Sequence, residues 1–202
     1  MGSFILITGG VRSGKSAYAQ SLAQATGSQV VFVATAQAFD KEFARRIARH
    51  RRDRPANWQT IEEPRDLARA VRQAFAMAPV ALVDDLTLWA SNRLLQAAPD
   101  PDHVEWHAQL EQVETTLLIE VQEIADAVPG EGRLIVVSQE TGWGIVPPYP
   151  LGRAYRDLLG RVNQRVAARA DEVYLMVAGL AIEVKRLATA TPMGADVRSS
   201  GG

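Results

Sequence analysis

Eight consecutive residues near the start of the chain, Gly9-Gly10-Val11-Arg12-Ser13-Gly14-Lys15-Ser16, space glycine, lysine and serine in a way that suits phosphate binding. Glycines permit a tight loop whose backbone N–H groups turn inward toward anionic oxygens. Lysine directly after the last glycine can reach the β- and γ-phosphates of a nucleotide, and the serine hydroxyl that follows can bind Mg²⁺. Such a loop needs a strand before it and a helix after it, whose positive dipole end faces the same anion. Phe4-Ile5-Leu6-Ile7 reads as the strand, and Ser16 to about Ala25, closed by Gly27, reads as the helix. A plain glycine turn is the weaker reading. Lysine is otherwise scarce, occurring only at 15, 41 and 185.

A phosphate site of this kind needs an acid near the metal. Val80-Ala81-Leu82-Val83-Asp84 offers an apolar strand delivering a carboxylate at its end. Asp84 is preferred because it directly follows the strand, and the adjacent Asp85 stays open as the alternative. A third feature is Arg45-Arg46-Ile47-Ala48-Arg49-His50-Arg51-Arg52-Asp53-Arg54, in a segment predicted helical from Asp40 to about Asp53. Phe43, Ile47 and His50 share one helical face. Alone, such a run is as readily a solvated face, and such a histidine a core residue. Its arginines can also neutralise a triphosphate and disfavour the charged form of His50, leaving a nucleophilic imidazole. Gly142-Trp143-Gly144-Ile145-Val146-Pro147-Pro148 suits a lid or binding loop as well as an ordinary ordered loop.

These groups need a scaffold, and strands alternate with helices along the chain, which predicts an α/β fold with a mostly parallel sheet and helices on both faces. Further strands are expected at Val30 to Val33, Val80 to Val83, Leu134 to Val137 and Val173 to Val177, with a sixth at Ala181 to Val184. Pro64 fits a first helical turn with Leu67, Val71 and Phe75 on one face. A long helix is expected from about Asp102 to Val128, stopped by Pro129-Gly130, and another from the 141–150 loop to about Arg169. A single domain over 1–188 and a frayed tail at 189–202 complete the layout.

The 202 residues hold 22 basic and 23 acidic side chains, a net charge of -1, which argues against a wholesale polyanion binder. No cysteine is present, which excludes disulfides, cysteine-ligated zinc, iron–sulfur clusters and thiol catalysis. No apolar run approaches the length of a membrane span, and a signal peptide is not apparent, so a cytoplasmic protein without stable membrane insertion is expected.

Taken in order, the motifs resemble the bifunctional adenosylcobinamide kinase/adenosylcobinamide-phosphate guanylyltransferase family of cobalamin biosynthesis. The landmarks are TGGVRSGKS at 8–16, VATAQAFDKEFARRIARHRRDRPANWQTIEEP at 33–64, DDLTLWASN at 84–92 and VSQETGWGIVPPYPLGRAYRDLLGRVNQRVAARADEVYLMVAGL at 137–180. The resemblance implies a RecA-like P-loop NTPase fold, with His50 carrying GMP and Lys15 acting on the phosphates. It implies nucleotide contacts from Gly9, Gly10, Val11, Arg12, Ser13, Gly14, Lys15, Ser16, Ala34, Thr35, Ala36, Arg51, Arg52, Asp53, Arg54, Glu62 and Asp84. Ser16 and Asp84 would hold Mg²⁺. Implied substrates are adenosylcobinamide and its phosphate with GTP or ATP, and the implied assembly is a homo-oligomer, a trimer. Asp85 stands where the family pattern has Cys, and Gln139 where it has Asn.

Two other functions compete. One is a different small-molecule P-loop kinase in which His50 is structural. The other is a RecA-like nucleic-acid-binding ATPase that sets the arginine run on phosphates, against which the net charge and the single basic run count.

Overall fold

The computed structural model describes residues 2–37, 45 and 54–188. His50, Arg51, Arg52 and Asp53, the helix expected across Asp40 to Asp53 apart from Arg45, and the tail at 189–202 lie outside the described residues.

One seven-stranded sheet organises the described chain, in the order β3-β2-β4-β5-β1-β6-β7. Its strands are β1 (Ser3–Gly9), β2 (Val30–Ala34), β3 (Gln59–Glu62), β4 (Val80–Asp84), β5 (Arg133–Val137), β6 (Glu172–Val177) and β7 (Leu180–Glu183). All neighbours pair in parallel except β6 and β7. Central strands of a parallel sheet are covered on both faces, so their sequences are continuously apolar rather than alternating. Parity then sorts each strand into two cores. Phe4, Leu6, Val31, Val33, Ala81, Val83, Leu134 and Val136 face one side, and Ile5, Ile7, Val30, Phe32, Val80, Leu82, Ile135 and Val137 the other.

Helices cover both faces, as the alternating pattern predicts. On the second face lies α1 (Lys15–Ala25), through Ala19 and Ala23. Gly27, at φ 66, donates its N–H to the Gln24 carbonyl and closes that helix as expected. On the first face lie α2 (Leu67–Met77), α3 (Leu86–Ala97), α4 (Trp106–Asp126) and α5 (Pro150–Arg169). Val113, Leu117, Val121 and Ile124 of α4 form its buried stripe. A short turn of helix, α6 (Val184–Leu187), follows β7.

Several elements differ from the sequence reading. Pro64 precedes α2 rather than opening it, because Asp66 caps the helix by accepting the Arg69 N–H at 3.0 Å. The long helix starts at Trp106 instead of Asp102, after turns at 101–105. Strand β3 and helix α3 were not anticipated, and the sixth expected strand is the antiparallel β7.

Candidate functional site: a phosphate-binding cavity

A cavity of about 570 Å³ opens at the carboxyl ends of the strands, where α/β sheets hold their ligands. Its floor is the loop between β1 and α1. That loop is wound tightly, with Arg12 at φ 56, Gly14 at φ 98 and the Ser13 N–H donating to the Gly10 carbonyl at 3.3 Å. Lys15 is buried and donates from Nζ to the Gly10 carbonyl at 2.6 Å. Desolvation lowers its pKa, opposed by the charges of Asp85 and Asp84. Ser13 Oγ is buried and has no hydrogen-bond partner among the described residues. A buried hydroxyl without a partner is costly unless a ligand completes it, and a phosphate oxygen is the acceptor this loop is shaped for.

The acids stand across the cavity. Asp84 ends β4, and its carboxylate is hydrogen-bonded by Ser16 at the start of α1. Burial, reinforced by the neighbouring Asp85 charge, pushes the Asp84 carboxyl up to about 7, while Ser16, Arg54 and Lys15 pull it down. Asp85 has different partners. It caps α3 by accepting the Leu88 N–H at 3.0 Å and the Thr87 hydroxyl, and burial raises its pKa. The peptide bond between the two acids is cis.

The donor set fits Mg²⁺: hard oxygens from Ser16 and Asp84 beside a phosphate cradle. No cluster of three or more His, Asp or Glu that could hold a metal occurs among the described residues. Mg²⁺ rarely needs one, since it takes one or two carboxylates and draws the rest from phosphates and water.

Of the residues singled out in the sequence, Val11, Arg12, Ser13, Gly14, Lys15, Ser16, Ala34, Ala36, Arg54, Glu62 and Asp84 all line this cavity. Gly9, Gly10 and Thr35 do not line it. Gly9 is packed against β6, where an added Cβ would meet the Met176 carbonyl oxygen at 2.4 Å. Thr35 is buried, donating its hydroxyl to the Asp85 carbonyl at 2.7 Å and accepting the Asp85 N–H at 3.0 Å. It holds the acidic turn from behind. Arg54 stacks 3.6 Å above the Phe32 ring. With Glu62 it also borders a second cavity of about 400 Å³ that includes Trp58 and Thr60.

Asp85, left open as the alternative acid, also lines the main cavity, as do Ala17, Thr87, Leu88 and Gln139, which were missed as site residues. Asp85, Thr87 and Leu88 sit within the DDLTLWASN landmark, which was the signal available for them. The unanticipated α3 does much of the positioning. Trp89 Nε1 donates to the Arg65 carbonyl at 2.9 Å, and Asn92 Nδ2 donates to the Thr35 and Pro64 carbonyls at 2.9 and 3.1 Å. One helix thereby ties together the segments that follow β2 and β3.

Among the described residues no helix is long and apolar enough to cross a membrane. The solved structure of a prototypical ATPase from the type III secretion system of pathogenic bacteria shares the fold. It is 13% identical, with a TM-score of 0.51 over 94% of this chain and 59% of that chain. The architecture they share is a mostly parallel sheet with helices on both faces, as the alternation of strands and helices predicts. Residues 5–184 match the family model described as CobU, cobinamide kinase / cobinamide phosphate guanyltransferase. The bifunctional adenosylcobalamin biosynthesis protein CobP of Pseudomonas aeruginosa is 43% identical over 180 residues, 89% of this chain and 96% of its own. The bifunctional adenosylcobalamin biosynthesis protein CobU of Escherichia coli (strain K12) is 38% identical over 182 residues, 90% of this chain and 99% of its own. On this near-complete match, which takes in the phosphate loop, the acidic turn and the strands that bring them together, the chain belongs to the cobinamide kinase / cobinamide phosphate guanyltransferase family.

Proposed function

We propose that this protein is a bifunctional enzyme of adenosylcobalamin biosynthesis, carrying out two phosphorus-transfer reactions at one nucleotide site. In the first, the aminopropanol hydroxyl of adenosylcobinamide attacks the γ-phosphorus of ATP or GTP, and the nucleoside diphosphate leaves. In the second, an imidazole nitrogen of His50 attacks the α-phosphorus of GTP, the α–β bridging oxygen leaves with pyrophosphate, and GMP is held on the histidine. The phosphate of adenosylcobinamide phosphate then takes the GMP, giving adenosylcobinamide-GDP and restoring the imidazole.

The observation that carries this reading is the single cavity that gathers Ser13, Lys15, Ser16 and Asp84 in a chain of this family. The backbone amides of residues 10–16 and the amino end of α1 would cradle the β-phosphate. Lys15, partly desolvated, would set its positive charge against the transferring phosphoryl oxygens, where a low-dielectric site makes it effective. Ser16 and Asp84 would hold Mg²⁺, which offsets phosphate charge when bound. Arg51, Arg52, Asp53, Arg54, Glu62, Ala34 and Ala36 belong to the nucleotide contacts of this reading. Thr35 supports them from behind. The exposed side chains of Trp143, Ile145, Val146 and Tyr149 form the apolar surface we assign to the corrinoid. A cytoplasmic homotrimer acting on small molecules rather than nucleic acid is part of the same reading.

Incubation with α-³²P-labelled GTP tests it. Label should stay on the denatured protein, be released by acid but not alkali as a phosphoramidate is, and disappear in His50→Ala. That variant should keep much of its kinase activity. Retained label in His50→Ala, or label mapped to His103 or His107, would overturn the histidine assignment.

A further inference from the structure

Gln139 occupies a position that the two reactions leave without a role. Strand β5 lies between β1 and β4, and Val137 at its end pairs with Ile7 on one side and Asp84 on the other. The chain leaving β5 therefore emerges between the phosphate-binding loop and the acidic turn. Parity decides which side chain faces the nucleotide. Ile135 and Val137 belong to the core on the α1 side, and Val136 to the opposite one. Ser138 continues to the far side, and Gln139 returns to the side of α1 and lines the cavity with Lys15, Ser16 and Asp84.

The backbone around Gln139 is fixed from three directions. The Ser138 N–H donates to the Ile7 carbonyl at 2.9 Å, and the Glu140 N–H donates to the Gly9 carbonyl at 3.2 Å. The Thr8 hydroxyl donates to Glu140 Oε1 at 2.8 Å. On the far face the buried Ser138 hydroxyl donates to Asn163 Oδ1 at 2.6 Å, and Asn163 Nδ2 donates to the Gln139 carbonyl at 3.1 Å. With the backbone so held, the side-chain amide of Gln139 makes no hydrogen bond to another described residue.

We propose that Gln139 reads the terminal phosphate of the bound nucleotide and orients the hydroxyl that attacks it. This rests on the kinase reading above. The amide NH₂ donates to a γ-phosphate oxygen, and the amide carbonyl accepts the O–H of the acceptor, bringing both reactants to one neutral group. In the transfer the acceptor oxygen bonds to the γ-phosphorus while the bond to the β–γ bridging oxygen breaks. The diphosphate leaves with the electron pair, and the acceptor's proton goes to solvent. An amide does not titrate, so Gln139 orients the hydroxyl and does not deprotonate it.

The test compares Kd for the α,β-methylene analogue of GTP, which cannot give up GMP, with Kd for GDP, both with Mg²⁺ and without corrinoid. Gln139→Ala should weaken the triphosphate analogue about tenfold, the scale of a hydrogen bond to a charged group, and leave GDP within about twofold. Gln139→Glu keeps the size of the side chain, sets a carboxylate against the phosphate and should weaken the analogue further. Either variant alone decides the point, whether or not the other folds. Equal loss for both nucleotides, or no change in their ratio, overturns the proposal. In the kinase assay Gln139→Ala should raise the KM for nucleotide about tenfold, in step with the Kd, and lower kcat about 10- to 100-fold through the lost orientation of the hydroxyl. Absence of wild-type phosphorylation of adenosylcobinamide would count against the kinase reading instead, since the ratio of the two Kd values involves no corrinoid.

Discussion

The backbone N–H of Gly179 donates to the carbonyl of Ser13 at 3.0 Å, so the turn joining β6 to β7 props the phosphate-binding loop from outside the cavity. That turn has positive φ at both central residues, 51 at Ala178 and 85 at Gly179, which suits a tight two-residue hairpin. The loop is thus held from beneath by β6 as well as by its own glycines. Gly9 shows how little space remains: at φ 145, an added Cβ would meet the Met176 carbonyl oxygen at 2.4 Å.

Adjacent glycines in the same motif should therefore respond differently. Gly9→Ala adds a Cβ against backbone that cannot yield, in a conformation that disfavours side chains. It should cost about 2–4 kcal/mol and most of the nucleotide affinity. Gly10→Ala meets no atom within 4 Å and needs no positive φ. Its stability should stay within about 1 kcal/mol of wild type. Urea unfolding and nucleotide titration of both variants check this, and equal damage from the two would mean the loop is packed differently.

Asp84 and Asp85 should separate in the same way, because they have different partners. Asp84→Ala removes the carboxylate beside Ser16 and should lower Mg²⁺-dependent turnover by about 100-fold or more, with folding largely kept. Asp85→Ala removes the cap of α3, and the expected loss is about 0.5–2 kcal/mol of stability. Steady-state kinetics against metal concentration, read beside thermal unfolding, distinguish them. A turnover loss confined to Asp85→Ala would move the metal to that residue.

How far these features were legible in the sequence depended on whether their cause was local. The phosphate loop was readable because its glycines, lysine and serine act within eight residues, and Asp84 because an apolar strand runs directly into it. Strand β3 was not, because Gln59, Thr60 and Glu62 are exposed and only Ile61 is half-buried. No period-two pattern marks it, and pairing with β2 makes it a strand. Helix α3 was blurred differently, since Thr87 and Asn92 are buried beside Leu86, Trp89 and Leu94, breaking the polar side of the expected stripe. Thr35 could be named as a site residue, yet its partner is Asp85, fifty residues away. The side chain of Gln139 was assigned to the cavity only once the strand order set β5 between β1 and β4.

Glu120 is an acid that packing rather than catalysis has buried. Its Oε1 accepts the N–H groups of Leu67 and Ala68 at 2.6 and 3.2 Å, two otherwise unpaired donors in the first turn of α2. Its Oε2 accepts from Arg93 at 2.6 Å. Glu120→Ala strips the two helix N–H groups of their partner, leaves Arg93 with the Arg65 carbonyl alone, and should cost about 2–4 kcal/mol. The pH dependence has a definite sign. Burial raises the carboxyl above its ordinary 4.5, more than the two N–H groups and Arg93 lower it. A carboxyl with a raised folded pKa binds its proton more tightly in the native state, so its contribution is fully present below 4.5 and is lost as pH rises through the folded value. Glu120→Gln cannot titrate. The stability of wild type relative to Glu120→Gln should therefore fall as pH rises from about 4.5 and level off above the folded pKa. Urea unfolding of both proteins over roughly pH 4 to 8 reads this difference directly. A difference that grows with pH would mean that Arg93 and the helix amides outweigh burial, and that Glu120 holds α2 as a stabilised carboxylate.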